Sequence, residues 1–239
     1  MLGSSIVVEV LTGTIYKNGM AVELSRRERY LMFSLAAVDG VIARARLRAM
    51  LWPDSDDDRA DNALWITVHR VRRRLGCAAA ISTASDGYRL GQGVLVDLAA
   101  TEALSRRIRL GEVSETTLQT ATQTLAGAAA FVETGLSDLP EHVGRRSHIV
   151  IDSLSDALHA LLGRGDETPL AVEAARALLA ADPAHEAACE CIMRSSMARG
   201  NLAAAVEAFR RHRRALRDEL EIEPSPHLLQ LLQRERTPV

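Results

Sequence analysis

Aromatic side chains are scarce in this chain: three Phe, three Tyr and two Trp make up 3% of 239 residues. A core without them must be built from Ala, Leu, Val and Ile, which favours closely packed helices over a large sandwich. Cysteine is also rare and odd in number, with Cys77, Cys189 and Cys191. Cys189 and Cys191 are two apart and would point to different faces of a helix, and no His/Cys set has zinc-ligand spacing. Reduced thiols in a cytoplasmic protein are the reading, with no metal and no other cofactor expected. The N-terminus lacks a basic stretch followed by an apolar run, and no apolar run approaches the length of a membrane span. Neither a signal peptide nor a membrane partner is therefore expected. Lysine occurs once, at Lys17, so arginine carries almost all positive charge.

What is present describes an ordinary globular chain, 47% hydrophobic and 25% charged. Its length favours two domains. The net charge of −2 is unevenly spread: residues 1–95 hold 13 Lys+Arg against 10 Asp+Glu, whereas residues 96–239 hold 16 against 21. A positive first part and a negative second part suit a polyanion partner for the first.

Short apolar runs at 6–11 (IVVEVL) and 21–24 (AVEL), with TGT and KNG between them, predict two or three strands joined by tight turns. Ser25, with Glu28 three residues on, predicts a capping box opening a helix over 26–37. A short extended link and a second helix over 44–51 follow, stopped by Pro53. An acidic loop, PDSDDD at 53–58, precedes a third helix. AAAIST and GYRL, separated by ASDG, predict a β-hairpin. From Asp97 onward the pattern is helical, with breaks near Gly111, 135–140, 163–166, Asp182-Pro183, Gly200-Asn201 and Pro224 to Pro226. AVEAAR at 171–176 recurs as AVEAFR at 205–210. That offset of about 34 residues is the tetratricopeptide period, and Gly165 and Gly200 fit the turns.

The third helix carries the chemistry. At 100° per residue, Leu64, Val68, Val71 and Leu75 form a narrow core stripe. Asn62, Ile66, His69 and Arg73 lie opposite, flanked by Arg59 and Arg70 on one side and Trp65 and Arg72 on the other. No acidic residue follows Asp61 in this helix. The cluster Arg70, Arg72, Arg73 and Arg74 could simply complement the helix C-terminus. It could equally enter a DNA major groove, where Asn, His and Arg read base edges and Arg clamps phosphate. Strands, three helices with a basic third, and then a hairpin is the order of a winged helix.

At this point the chain resembles a family. LWPDSDDDRADNALWITVHRVRRRLG followed by DGYRL resembles the DNA-binding domain of OmpR/PhoB-type regulators, and more closely the Streptomyces antibiotic regulatory protein (SARP) group. LLAADPAHEAACECIMRSSMARGNLAAAVEAFRRHRRALRDELEIEPSPHL resembles the bacterial transcriptional activator domain that follows the winged helix in that group. The resemblance covers essentially the whole chain; residues 111–165 match least. It implies a mainly α fold: a winged-helix DNA-binding domain with short strands and a wing hairpin at 1–95, then an all-α, tetratricopeptide-like activator domain at 96–239. It implies that Arg59, Asn62, Trp65, Ile66, His69, Arg70 and Arg73 face the groove or its phosphate walls, and that Arg72 contacts the backbone at its edge. Asp54, Asp56, Asp57 and Asp58 correspond to a loop that can touch RNA polymerase; capping of the third helix by Asp58 or Asp61 would also explain the acids. Double-stranded DNA, RNA polymerase and a second copy of the chain, as a homodimer or as paired monomers on direct repeats, are the implied partners. Two departures stand out. Where many relatives carry a wing arginine this chain has Ala84, with Asp86 at the tip. Trp65 replaces a residue that is often polar or basic.

Two other classes remain to be weighed. An enzyme would need more than His148, Asp152 and Asp156 on one helix face with His159 nearby; no Gly-rich phosphate loop, nucleophile elbow or Cys/His pair is present, and no catalytic residue is expected. A protein-interaction scaffold could use the repeats and dock through the winged helix, but such a surface would not need unpaired arginines.

Overall fold

The computed structural model describes residues 5–134, 139–162 and 168–234. Contacts divide the chain into two units. One holds the residues up to Ala100 together with Phe131–Val150; the other holds Thr101–Ala130 and the residues from Ile151 onward.

The first unit opens with β1 (Ile6–Glu9), β2 (Thr14–Lys17) and β3 (Met20–Ala21). β1 pairs antiparallel with β2, and β2 with β3. The expected strands at 6–11 and 21–24 are therefore shorter, and β2 is the third strand that the two turn signals allowed. Asn18 and Gly19, both at positive φ, make the two-residue turn from β2 to β3. This is the geometry that matches the twist of a hairpin. Helix α1 (Arg26–Ala36) starts at the expected capping box: Ser25 Oγ accepts from Glu28 N, and Glu28 Oε2 accepts from Ser25 N at 2.7 Å. β4 (Ile42–Ala43) leads into α2 (Arg44–Leu51), and α3 spans Asp57–Leu75. The acidic segment is thus not all loop, because Asp57 and Asp58 already lie in the first turn of α3. The cap is neither Asp58 nor Asp61 but Asp56, whose Oδ1 accepts from Arg59 N at 2.9 Å.

After a 3-10 turn at Ala78–Ala80, β5 (Ile81–Thr83) and β6 (Gly87–Leu90) form the wing, with β4 on the other side of β6. Gly87 has no positive φ, so it is not required by the turn itself. It is required by β4: a Cβ there would stand 2.0 Å from the Ile42 carbonyl oxygen. β7 (Val94–Val96) then returns to the first sheet and pairs parallel with β1, Val8 opposite Val96. The sheet therefore runs past residue 95. Inside this unit Leu31, Met32, Phe33 and Leu35 of α1, Leu47 and Leu51 of α2, and the α3 stripe are buried.

Asp97 follows directly, opening α4 (Asp97–Arg109). Its two carboxylate oxygens accept from Val10 N at 2.9 Å and Leu11 N at 2.8 Å, so it satisfies the amides that β1 leaves unpaired at its end. Burial pushes this carboxyl up to about 6 from 3.8, against the pull of the two amides. The folded chain thus holds the proton more tightly than the unfolded one. The contribution is present below about pH 4 and lost as pH rises through about 6. Relative to Asp97→Asn, the urea midpoint of the parent is expected to fall between about pH 4 and 6.5. Parallel pH dependence in the two proteins would mean that this carboxyl titrates as it does in the unfolded chain.

The remaining elements are helical: α5 (Glu115–Thr134), α6 (Glu141–Leu162), α7 (Pro169–Ala181), α8 (Glu186–Ala198), α9 (Leu202–Leu220) and α10 (Pro226–Arg234). The expected breaks at Gly111, Asp182-Pro183, Gly200-Asn201 and Pro224 fall between helices, and Pro226 opens α10. Residues 135–138 and 163–167, including Gly165, lie outside the described residues. AVEAAR and AVEAFR occupy corresponding positions near the starts of α7 and α9, and Ala171 and Ala205 are both buried. One core of the second unit joins Leu118, Leu125, Leu154, Leu158 and Leu178; another joins Cys189, Met193, Phe209 and Leu228. Small and aliphatic side chains fill both almost entirely, as the lack of aromatics requires.

Candidate nucleic-acid interface

The α3 stripe is buried as periodicity dictates: Leu64, Val68, Val71 and Leu75 are at most 2% exposed. With that face fixed against α1 and α2, the opposite face is presented outward. Asn62, Trp65, His69, Arg70 and Arg73 are exposed, and Ile66 is half-buried. Trp65 is 61% exposed, its ring stacked on His69 with centroids 5.7 Å apart and planes 11° from parallel. The i, i+4 spacing on a helix makes that contact.

The four arginines at the end of α3 divide into two pairs. Arg74 is tied down: its Nη1 donates to the Glu23 carbonyl at 3.0 Å, and its Nε lies 3.4 Å from Glu28 Oε2. It thereby neutralises a carboxylate that is only 3% exposed while capping α1. Arg72, expected at the groove edge, points to the wing instead: Nε and Nη2 donate to the Ile81 carbonyl at 3.1 and 2.7 Å, and Nη2 also to Thr83 Oγ1 at 3.0 Å. It holds β5 onto the helix. Arg70 and Arg73, among the described residues, have no partner. Arg59 forms an exposed ion pair with Asp56 at 3.2 Å, a pair that water and salt weaken.

The acids divide as well. Asp56 caps α3, and Asp57 pairs with Arg48 at 3.5 Å, while Asp61 meets Arg48 at 2.6 Å. Asp54 and Asp58 are exposed and have no partner among the described residues. At the wing, Asp86 is exposed and Arg89 sits along β6 opposite Ser82, away from the tip.

Sequence reasoning passed over Arg44 and Arg46, both exposed in the first turn of α2. The Arg44 guanidinium lies over the Tyr88 ring, 5.6 Å from its centroid. Ala43 gives α2 no side-chain cap and the Arg44 amide donates to the Asp86 carbonyl at 2.9 Å, so the amides that follow it and these two cations add positive potential beside α3. The alternation R-A-R at a helix start was the available signal.

Chemically, this face offers two fork-shaped guanidinium groups, an amide, an imidazole and a flat indole. These groups hydrogen-bond base edges or phosphates and pack on a thymine methyl. His159, expected near a possible ligand stripe, meets His185 at 3.3 Å, and among the described residues no three His, Cys, Asp or Glu side chains gather as a metal site. Burial pushes the Cys189 thiol up to about 12, too high for a nucleophile at neutral pH. Among the described residues no helix is long and apolar enough to cross a membrane.

Residues 96–235 match the model of the bacterial transcriptional activator domain. The chain belongs to that family. The description of that family is a transcriptional activator domain. No curated protein matches its sequence. Among solved structures it is similar to one described as "Mycobacterium tuberculosis EmbR in complex with low affinity phosphopeptide", with a TM-score of 0.56 and 19% identity. That likeness takes in 99% of this chain and 66% of the other, so the chain spans just under two thirds of the length of that protein, and the fold is what the two share. The match bears out the architecture that the family resemblance implied, a winged helix followed by an all-α activator domain.

Proposed function

We propose that this activator binds specific duplex DNA with α3 in the major groove. In this reading Arg70, Arg73, Asn62 and His69 read bases or clamp phosphates, Trp65 and Ile66 pack on the groove wall, and Arg59 adds charge. Arg72 acts indirectly, by holding the wing. The observation that carries the proposal is the division of the arginines: two are spent on the fold, and two are left exposed without a counter-charge on the face opposite the core. Arg73 lies in the last turn, where it also complements the helix dipole, whereas Arg70 lies before that turn. The acidic segment, through Asp54 and Asp58, is the proposed contact with RNA polymerase. The N-terminal winged helix and the C-terminal repeats act as separate working parts, reader and activator.

The operator is a direct repeat, and two copies of the chain occupy it as a dimer or as paired monomers. One winged helix reads few base pairs, and a wing with Ala84 and Asp86 adds no cationic minor-groove contact. One copy alone falls short of the selectivity a genome demands. A second copy held nearby raises the effective concentration. Cutting the chain at residue 95 would test this poorly, because it removes Val96 from the first sheet and the Asp97 carboxylate from the amides of Val10 and Leu11. The test uses the full chain on duplexes selected from a random pool, carrying one copy of the site or two in tandem. The tandem duplex is expected to bind at least about tenfold more tightly per site, with affinity falling steeply as salt rises. Equal affinity for one site and two would end the pairing proposal. Equal affinity for selected and scrambled duplexes would end the sequence-reading one.

A further inference from the structure

A cavity of about 780 Å³ opens among α7, α8 and α9. That is the size of a small-molecule site. Leu179 and Ile192 give it apolar walls, and Arg176, Arg199 and Arg211 line it against a single carboxylate, Glu207. Arg176 shares its charge with Glu173 at 3.4 Å, and Arg199 donates to Ser195 Oγ at 2.9 Å. Arg211 has no partner among the described residues. The cavity is thus greasy inside and positive in balance.

His212 decides what else a ligand must carry. It lines the cavity and is only 1% exposed. Its Nδ1 lies 3.3 Å from the Pro183 carbonyl oxygen. A carbonyl only accepts, so Nδ1 is the donor to it, and in the neutral ring of that tautomer Nε2 is an acceptor. Nε2 is buried and has no partner. A buried acceptor is normally satisfied.

We propose that this cavity binds a small amphipathic anion: a molecule with an apolar body, a carboxylate or phosphate head held by Arg211 and the neighbouring arginines, and a hydroxyl or amide N–H that donates to His212 Nε2. The site lies within the helical unit and does not depend on the DNA-reading role of α3. A ligand there bridges three consecutive helices and so stabilises one arrangement of them, which gives the activator a chemical input.

The test titrates the full chain calorimetrically with three probes. 3-Hydroxydecanoate has all three features, decanoate lacks the hydroxyl, and 1-decanol lacks the charge. Saturable binding of one 3-hydroxydecanoate per chain is expected, about tenfold weaker binding of decanoate, and none resolved for decanol. Arg211→Ala, at an exposed position, is expected to weaken both acids about tenfold. His212→Phe keeps the packing and removes the acceptor, so it should bring 3-hydroxydecanoate down to the decanoate level and leave decanoate unchanged. Ala204→Trp fills the cavity and should abolish binding of both acids while circular dichroism reports intact helices. No saturable binding of 3-hydroxydecanoate, equal binding of decanol, or an Ala204→Trp protein that binds like the parent would overturn the proposal. A His212→Phe protein that still separates the two acids would overturn the role given to Nε2.

Discussion

Replacing Arg70 and Arg73 together by alanine is expected to lower affinity for the selected duplex by on the order of a hundredfold or more, since each base-reading arginine contributes about 1–3 kcal/mol. The slope of log affinity against log salt should flatten by about 1–2 as the phosphate-facing charges disappear. The fold should not notice: both side chains are exposed and, among the described residues, unpaired, and such surface changes stay within about 0.5 kcal/mol. Arg72→Ala is the contrast. It frees the Ile81 carbonyl and Thr83, loosens the wing, and should lower the unfolding midpoint before it lowers binding, with all DNA sequences affected alike. Filter binding across a salt series, paired with urea unfolding of each variant, separates the two outcomes. If the double variant bound its operator like the parent at every salt concentration, α3 would not be the reading element.

Leu75→Ala should be the most damaging substitution for stability in α3. The side chain is fully buried at the end of the stripe, and truncating a buried leucine costs about 2–5 kcal/mol through lost transfer energy and the cavity left behind. Against a typical total of about 5–15 kcal/mol, that is a large share. Trp65→Ala removes a much larger side chain from the same helix, yet its exposure predicts a change in the urea midpoint near zero and a loss of DNA affinity instead. Equal destabilisation by the two substitutions would place Trp65 in the core and remove it from the interface.

The parts of the fold that were legible share one property: their cause lies within a few residues. Ser25 and Glu28 make their capping box across three positions, Pro53 stops α2 locally, and the α3 stripe repeats every three or four residues. The missed parts have distant causes. β7 is three residues long and pairs with β1 across the whole winged helix, so no period marks it. Gly87 looked like a turn residue, while the reason for it is the Ile42 carbonyl on another strand. In the site, the exposed face of α3 followed from its buried one. The partition of its arginines did not, because Arg72 and Arg74 find the backbone carbonyls of Ile81 and Glu23, groups that every residue has and no sequence distinguishes. Asp56 emerged as the cap from a run of acids in which several members had the chemistry and only one the position.

The late return of β7, with Asp97 behind it, sets a timetable for synthesis. A nascent chain leaves the ribosome from its N-terminus, and domains as a rule fold as they emerge. Here β1 has its hairpin partner β2 early, but its other edge and the amides of Val10 and Leu11 stay open until residues 94–97 are outside. Residues 131–150, which belong to the same unit, come later still. All of α3, with its uncompensated arginines, is therefore exposed before the sheet behind it is closed. An open strand edge next to a cationic helix is the stage at which this chain is most exposed to wrong partners, including the polyanionic ribosome that is making it.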